Sequence, residues 1–308
     1  MIQAAARERR MTTIELKKED DMATTKTRRA ATPVVTPGLS AEDTKKLLHL
    51  VRNSKSIEIK VSVPMAQHQE AALTLGLDAV ESQPRHVYFF DTADQALNRA
   101  GLILRARRRP GGRADTVIKL RPVDPANIDA ELKRSDAFKV EVDAMPGGVF
   151  VCSASYKGVA TGQEVLDVTQ GRMPLRKLFS KEQLAFYDEH APADIDMDSL
   201  LPQGPILLLK LKHESKDFEH GLTAEVWLWK DGKHILEIST KCEPAEAFQV
   251  GAEFRAFLQD HGVDLDAKQE TKTKTAMQKF KAEQEKRGRA RTTARVARRP
   301  AERPSRPA

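Results

Sequence analysis

The stretch that decides the fold is residues 86–121, HVYFFDTADQALNRAGLILRARRRPGGRADTVIKLR. Two strand-like runs in it carry a cation at every second position, and a Pro-Gly-Gly turn between them predicts a hairpin. Because successive side chains of a strand point to opposite faces, each run places its charges on one face. The alternating cations are Arg105, Arg107 and Arg109 in the first run and Lys119 and Arg121 in the second. A face this basic indicates a polyanion partner, although a solvated sheet face is the usual explanation of a charge run.

The same alternation extends along the chain. Eight stretches have the length and pattern of strands, and all but HVYFF set charged residues against an aliphatic face. In SIEIKVSVP, residues 56–64, Glu58 and Lys60 oppose Ile57 and Ile59. Helical patterns long enough to cover the aliphatic faces lie between the strands. We therefore predict an α+β fold: a closed eight-stranded antiparallel β-barrel with flanking helices and a helical insertion, its charges lining a tunnel.

Composition divides the 308 residues into three parts. We predict that residues 1–53 are a disordered basic segment with one short helix. Residues 54–280 are predicted to form the barrel domain, with a helical insertion at 150–203, and residues 281–308 a disordered basic tail. The net charge is +7, with +3 in residues 1–40, +7 in residues 281–308 and −3 between them. An acidic body with one concentrated basic hairpin favours a focused anion site over a general nucleic-acid surface.

The cysteines and the hydropathy of the chain indicate its cellular compartment. Cys152 and Cys242 have no metal-binding spacing, which favours free thiols in a reducing compartment. No apolar run approaches the length of a membrane span, and no apolar signal core follows the first arginines. We expect a cytoplasmic protein with no membrane partner.

The motifs in this order resemble those of the CYTH superfamily, the triphosphate tunnel metalloenzymes. The resemblance rests on YFFDTADQALNRAGLILRARR, followed by IKLR, VEVD, KLK and LEIS, and covers roughly residues 55–280. It implies a tunnel fold that acts on triphosphates with a divalent metal, here Mg²⁺ or Mn²⁺. Two positions depart from the family pattern, because Ser56 and Ser239 stand where carboxylates are usual.

The resemblance also implies a set of site residues. The expected metal ligands are Glu58, Glu141, Asp143, Glu225 and Glu237. The expected phosphate-binding residues are Lys60, Arg105, Arg107, Lys119, Arg121, Lys210 and Lys212. Desolvated among cations, Lys60 would have a lowered pKa and help to deprotonate the attacking water, although a phosphate contact alone is the simpler role. Read without the resemblance, Glu58 with Lys60 is an ordinary salt bridge, and Lys210 and Lys212 lie on a solvated edge.

Three activities are consistent with the predicted tunnel and its site residues. The first is a metal-dependent phosphohydrolase acting on inorganic tripolyphosphate or a small organic or nucleoside triphosphate. The second is cyclisation of ATP by the same site, and the third is a non-catalytic module that binds polyphosphate. The basic tail would add nonspecific contacts to nucleic acid or polyphosphate.

The tail and the anion site are predicted to act separately. Deleting residues 285–308 should leave triphosphate affinity nearly unchanged, and it should reduce retention on heparin at low salt because that binding depends on counterion release. Isothermal titration and heparin chromatography of both forms measure the two effects. Loss of triphosphate binding in the shortened chain would place the anion site in the tail.

Overall fold

Nine β-strands form a closed barrel in the computed structural model, which describes residues 40–267, 269 and 272–297. The strands are β1 (Ser56–Val63), β2 (Gln83–Asp91), β3 (Leu102–Arg108), β4 (Arg113–Leu120), β5 (Phe138–Met145), β6 (Val149–Thr161), β7 (Leu201–Ser215), β8 (Phe218–Leu228) and β9 (His234–Cys242). Their order around the barrel is β1-β5-β6-β4-β3-β2-β7-β8-β9. The predicted Pro-Gly-Gly turn joins β3 to β4, so the basic runs are neighbours.

Of the helices in the described part of the chain, all but the last pack outside the barrel wall. The helices are α1 (Ala41–Arg52), α2 (His68–Thr74), α3 (Ala96–Arg99), α4 (Ala130–Arg134), α5 (Gly162–Thr169), α6 (Lys181–His190), α7 (Ala247–Asp260) and α8 (Lys272–Ala297). Ser40 caps α1 as its sequence predicts, since its hydroxyl accepts a hydrogen bond from the amide of Asp43 at 3.0 Å. The predicted disorder of the N-terminal segment falls on residues 1–39, outside the described residues.

The two faces of the strands have the contents that the alternation predicts. The outward positions form the main hydrophobic core with the helices, and Ile57, Leu104, Ile118 and Leu211 are all buried there. The inward positions carry the charged side chains. Burying the aliphatic face against helices supplies most of the favourable free energy of such a wall.

The barrel has nine strands where eight were predicted, and one pair is parallel. β6 lies within the predicted 150–203 insertion, and its inward positions include the uncharged Ser153 and Ser155 next to Lys157. These small side chains lie across from Glu141, Lys139 and Lys119, which leaves space for the longer ones. β1 pairs in parallel with β5 and antiparallel with β9, so the barrel is mixed.

The helical part of the insertion packs on the outside of the wall. It begins with α5 at Gly162, after β6 ends, and α6 lies over β4 and β6. Gln183 on α6 accepts a hydrogen bond from the hydroxyl of Thr116 at 3.0 Å and donates one to the carbonyl of Tyr156 at 3.2 Å. The insertion therefore covers the aliphatic face and does not enter the barrel.

The element that enters the barrel is α8. Its Ala276, Met277 and Phe280 are buried against inward-facing apolar side chains, which are Val87, Phe89, Ile103, Ile206, Leu208 and Trp227. The helix continues to Ala297, so the predicted disordered tail from residue 281 is wrong for residues 281–297; residues 298–308 lie outside the described residues. The interior thus has an apolar part filled by α8 and a charged part beside it.

Two further features concern the predicted free thiols and the predicted lack of a membrane span. Cys152 and Cys242 are both buried and free. Within residues 40–267, 269 and 272–297, no helix combines the length and the apolar content that crossing a bilayer would need.

The outer core should be sensitive to truncation at Phe138. This side chain is fully buried, and its ring lies 5.1 Å from that of Tyr156 and 5.8 Å from that of Phe186 between ring centroids. Phe138→Ala should lower the free energy of unfolding by about 3–5 kcal/mol in urea titration because it leaves a cavity. Phe248→Ala is the matched control, since that ring is 47% exposed, and an equal loss in both variants would contradict the packing.

Candidate active site inside the barrel

The inward face of the basic hairpin supplies three partly buried cations that have no carboxylate partner among the described side chains. Arg105, Lys119 and Arg121 form no ion pair, and Nε of Arg105 is buried without a hydrogen-bond acceptor. Burial and the neighbouring charge of Arg107 lower the pKa of Arg105 to about 10. Burial also lowers the pKa values of Lys119 and Arg121. Buried unpaired cations are costly, so this cluster is poised to accept an anion.

Arg107 lies in the same hairpin but is already paired. Its Nε is 2.8 Å from Oδ1 of Asp115, which is its cross-strand neighbour on β4, and Nε of Arg109 is 3.6 Å from Oδ2 of the same carboxylate. Asp115 is the one acid between Arg99 and Arg121 in the sequence. In the structure it neutralises Arg107 and Arg109, so these two arginines differ from the unpaired cations of the same face.

Lys60 occupies the centre of an acidic pair. The parallel register of β1 and β5 places Glu58 opposite Asp143, and Nζ of Lys60 lies 2.9 Å from one carboxylate and 2.8 Å from the other. Burial opposes its charge, but Asp143 and Glu58 outweigh that cost and raise the pKa of Lys60 above its usual range. The predicted lowered pKa is therefore wrong, because Lys60 is surrounded by acids and not by cations. It is a poor base and fits a phosphate contact better.

A second acidic pair lies on β8 and β9. Glu225 and Glu237 are cross-strand neighbours, and Nζ of Lys272 from α8 lies 2.5 Å from a carboxylate oxygen of each. Glu225 also contacts Lys210 at 3.0 Å and accepts a hydrogen bond from Nε1 of Trp227 at 3.2 Å. Lys272 was missed by sequence analysis, because no strand pattern connects a lysine at the start of a distant helix to the barrel interior.

The remaining predicted residues are more peripheral. Glu141 pairs with Lys241 at 2.7 Å. Lys212 is exposed on β7 and makes no ion pair in the described part of the chain, so the structure does not bring it into the buried cluster. Ser239 is buried opposite Lys60, and Ser56 is the register partner of Glu141.

The acidic side chains suit a hard divalent cation in type but not as one cluster. Among the described residues, no group of three acidic, histidine or cysteine side chains could together hold a metal. Mg²⁺ nevertheless needs only one or two protein carboxylates, with the remaining ligands from water and substrate. Glu225 and Glu237, adjacent across two strands and already bridged by one cation, fit that requirement. Glu58 with Asp143 forms a similar pair around Lys60.

Comparison with solved structures supports the fold. A candidate adenylate cyclase from Bacillus halodurans is 13% identical with a TM-score of 0.51, and the match covers 72% of this chain and 97% of that one. A candidate adenylyl cyclase from Hippeastrum, described as having a dominant triphosphatase activity, is 18% identical with a TM-score of 0.54, and the match covers 73% and 95%. No family model and no curated protein matches the sequence. This chain shares its closed-barrel fold with these two structures, as the sequence analysis predicted.

The ion pairs of the site make stability depend on pH in a defined direction. Burial opposes ionisation of Glu58, Glu141 and Glu225, but neighbouring lysines outweigh it and lower the pKa of each below 4.5. Groups with a lowered pKa stabilise the fold above their unfolded pKa, so this stability should be lost as the pH falls below about 4.5. Burial raises the pKa of Glu237, which offsets part of the effect.

Thermal unfolding between pH 7 and pH 3 measures this dependence. Glu58→Gln should flatten the decline in Tm on the acidic side, because it removes one of the three carboxylates that must be protonated. Glu283→Gln is the control, since that side chain is exposed on α8. Identical pH profiles for Glu58→Gln and the unmodified protein would rule out a stabilising Glu58 ion pair.

Proposed function

We propose that the chain is a metal-dependent phosphohydrolase that acts on inorganic tripolyphosphate or a small organic or nucleoside triphosphate inside the barrel. The observation that carries the proposal is the buried cluster of Arg105, Lys119 and Arg121, which has no carboxylate partner in the described structure. A fold built only to be stable would pair these charges or replace them with apolar residues. Their cost is offset when an anion with several charges binds.

A chain of phosphates fits this cluster in geometry and charge. Arginine offers a planar fork of donors that matches phosphate oxygens, and each charge-assisted hydrogen bond contributes about 1.5–3 kcal/mol. Arg107 and Lys60 lie in the same interior and can extend the contacts, since each can exchange an internal carboxylate for a phosphate oxygen. The barrel wall would hold the phosphates in line and keep bulk water from the reacting phosphorus.

Glu225 and Glu237, or Glu58 and Asp143, would hold the metal, and the ion is Mg²⁺ or Mn²⁺ by the preference of carboxylate oxygens. When bound, it would neutralise phosphate charge and polarise the phosphoryl oxygen. Lys60 remains charged in its acidic surroundings, so its part is to orient the substrate and not to remove a proton.

A binding module is the second candidate, and one feature favours it. Each of the five predicted metal ligands contacts a lysine, so the acids can be explained as internal counter-ions of the cations. Cyclisation of ATP is supported only by the descriptions of the structural neighbours. Hydrolysis needs the fewest additional groups and is our first choice.

Phosphate release from tripolyphosphate, ATP and thiamine triphosphate, with Mg²⁺, Mn²⁺ or EDTA, tests the proposal. Arg105→Gln should raise KM and lower kcat, with a loss in kcat/KM of about 10²-fold, because the phosphate contact strengthens as charge develops. Arg99→Gln is a matched control. Arg99 at the end of α3 is exposed and pairs with Asp94 in the turn before that helix. Folded protein that binds tripolyphosphate through Arg105 but releases no phosphate with either metal would identify the binding module.

A further inference from the structure

The contact between α8 and the Glu225–Glu237 pair is the feature of the interior that the proposed function does not use. We propose that Lys272 and a divalent cation are alternative occupants of this pair, so that metal binds only when the start of α8 withdraws. The inference deepens the proposed function and rests on it in one respect, because it takes Glu225 and Glu237 as the metal-binding carboxylates.

Lys272 is in direct contact with both carboxylates of the pair. Its ammonium lies 2.5 Å from Oε2 of Glu225 and 2.5 Å from Oε1 of Glu237, which places it between two carboxylates on neighbouring strands. The three side chains are 17%, 10% and 4% exposed, so little water can take the place of either partner. A metal bridging the same oxygens would meet the ammonium directly.

The surroundings of the pair explain why one cation must be there. Two carboxylates this close and this buried cannot both remain ionised without a positive charge between them. Glu225 has a second partner in Lys210, whereas Lys272 is the only cation paired with Glu237 within the described residues. Glu237 therefore depends on Lys272 for its counter-charge, and α8 brings this ammonium into the barrel.

The attachment of α8 is suited to release. Lys272 begins the helix, and its ammonium lies 5.5 Å from the ring centroid of Trp227. Further along, Met277 and Phe280 pack on inward-facing apolar side chains, and the carbonyl of Met277 accepts a hydrogen bond from Gln95 at 2.5 Å. Lys272 thus holds the start of α8 by charge, and Met277 and Phe280 hold the following turns by packing, so exchange at the acidic pair acts on the start of the helix and leaves the packed turns in place.

Metal affinity without any triphosphate tests the exchange. Free Mn²⁺ is measured by electron paramagnetic resonance during titration of the unmodified protein and of Lys272→Met, which keeps an apolar stem near Trp227. Removing the competing ammonium should tighten Mn²⁺ binding by at least about 10-fold. Lys279→Met is the matched control: Lys279 lies on the same helix, 5.1 Å from the Trp229 ring centroid, and pairs with Asp231 instead. Its Mn²⁺ affinity should match that of the unmodified protein.

Hydrogen exchange of the unmodified protein provides a second measurement that needs no variant to fold. Saturating Mn²⁺ should increase the exchange of the amides of residues 276–279, because these N–H groups donate to the carbonyls of the first turn of α8. Unchanged or weaker Mn²⁺ binding in folded Lys272→Met would overturn the exchange, as would α8 protection that does not respond to bound Mn²⁺. Neither measurement uses a substrate. If Lys272→Met binds Mn²⁺ 10-fold more tightly but the protein releases no phosphate, only the proposed hydrolase activity is contradicted. Phosphate release with unchanged affinity would count against the exchange alone.

Discussion

Neutralisation of buried charge is the constraint on which the rest of this structure depends. A charged group inside a barrel is tolerated only when an opposite charge or a bound ion compensates for lost water. The strand registers provide this compensation: the parallel pairing of β1 with β5 sets Glu58 beside Asp143, and the β8–β9 pairing sets Glu225 beside Glu237. Lys60 neutralises the first pair, Lys272 and Lys210 neutralise the second, and Arg105, Lys119 and Arg121 of the hairpin are left without a carboxylate partner among the described residues.

The division of the interior into a charged part and an apolar part follows from α8. Without this helix, Phe89, Trp227 and the other inward apolar side chains would face solvent. With it, they form a second small core, which closes the charged part on one side and lowers its access to water. Low water content strengthens every electrostatic interaction that remains, so α8 affects the pKa values of the site as well as its shape.

Sequence analysis predicted the faces of the strands well, because burial of aliphatic side chains imposes a period of two wherever the opposite face is charged. Arg105, Lys119, Glu58 and Glu237 were therefore assigned to the interior correctly. It missed β6, whose inward serines carry no charge, and it missed the parallel β1–β5 pair, since alternation is the same in either direction. Lys272 and the raised pKa of Lys60 depend on which acids come close in three dimensions, and a single sequence does not contain that information.

The serines at positions 56 and 239 change how a metal could enter. With serines at these two positions, the interior has few enough acids for internal lysines to neutralise. A polyphosphate bound in the proposed site would alter that balance, because its oxygens would compete for the same ammonium groups. If Lys60 turned from Asp143 to a phosphate oxygen, the Glu58–Asp143 pair would lose its counter-charge and become available to a divalent cation. Anion and metal binding at this pair would then be coupled, and by linkage each would raise the affinity of the other by the same factor. At the Glu225–Glu237 pair the group to be displaced is Lys272, which no anion needs to remove, so the two acidic pairs would differ in their dependence on the proposed substrate.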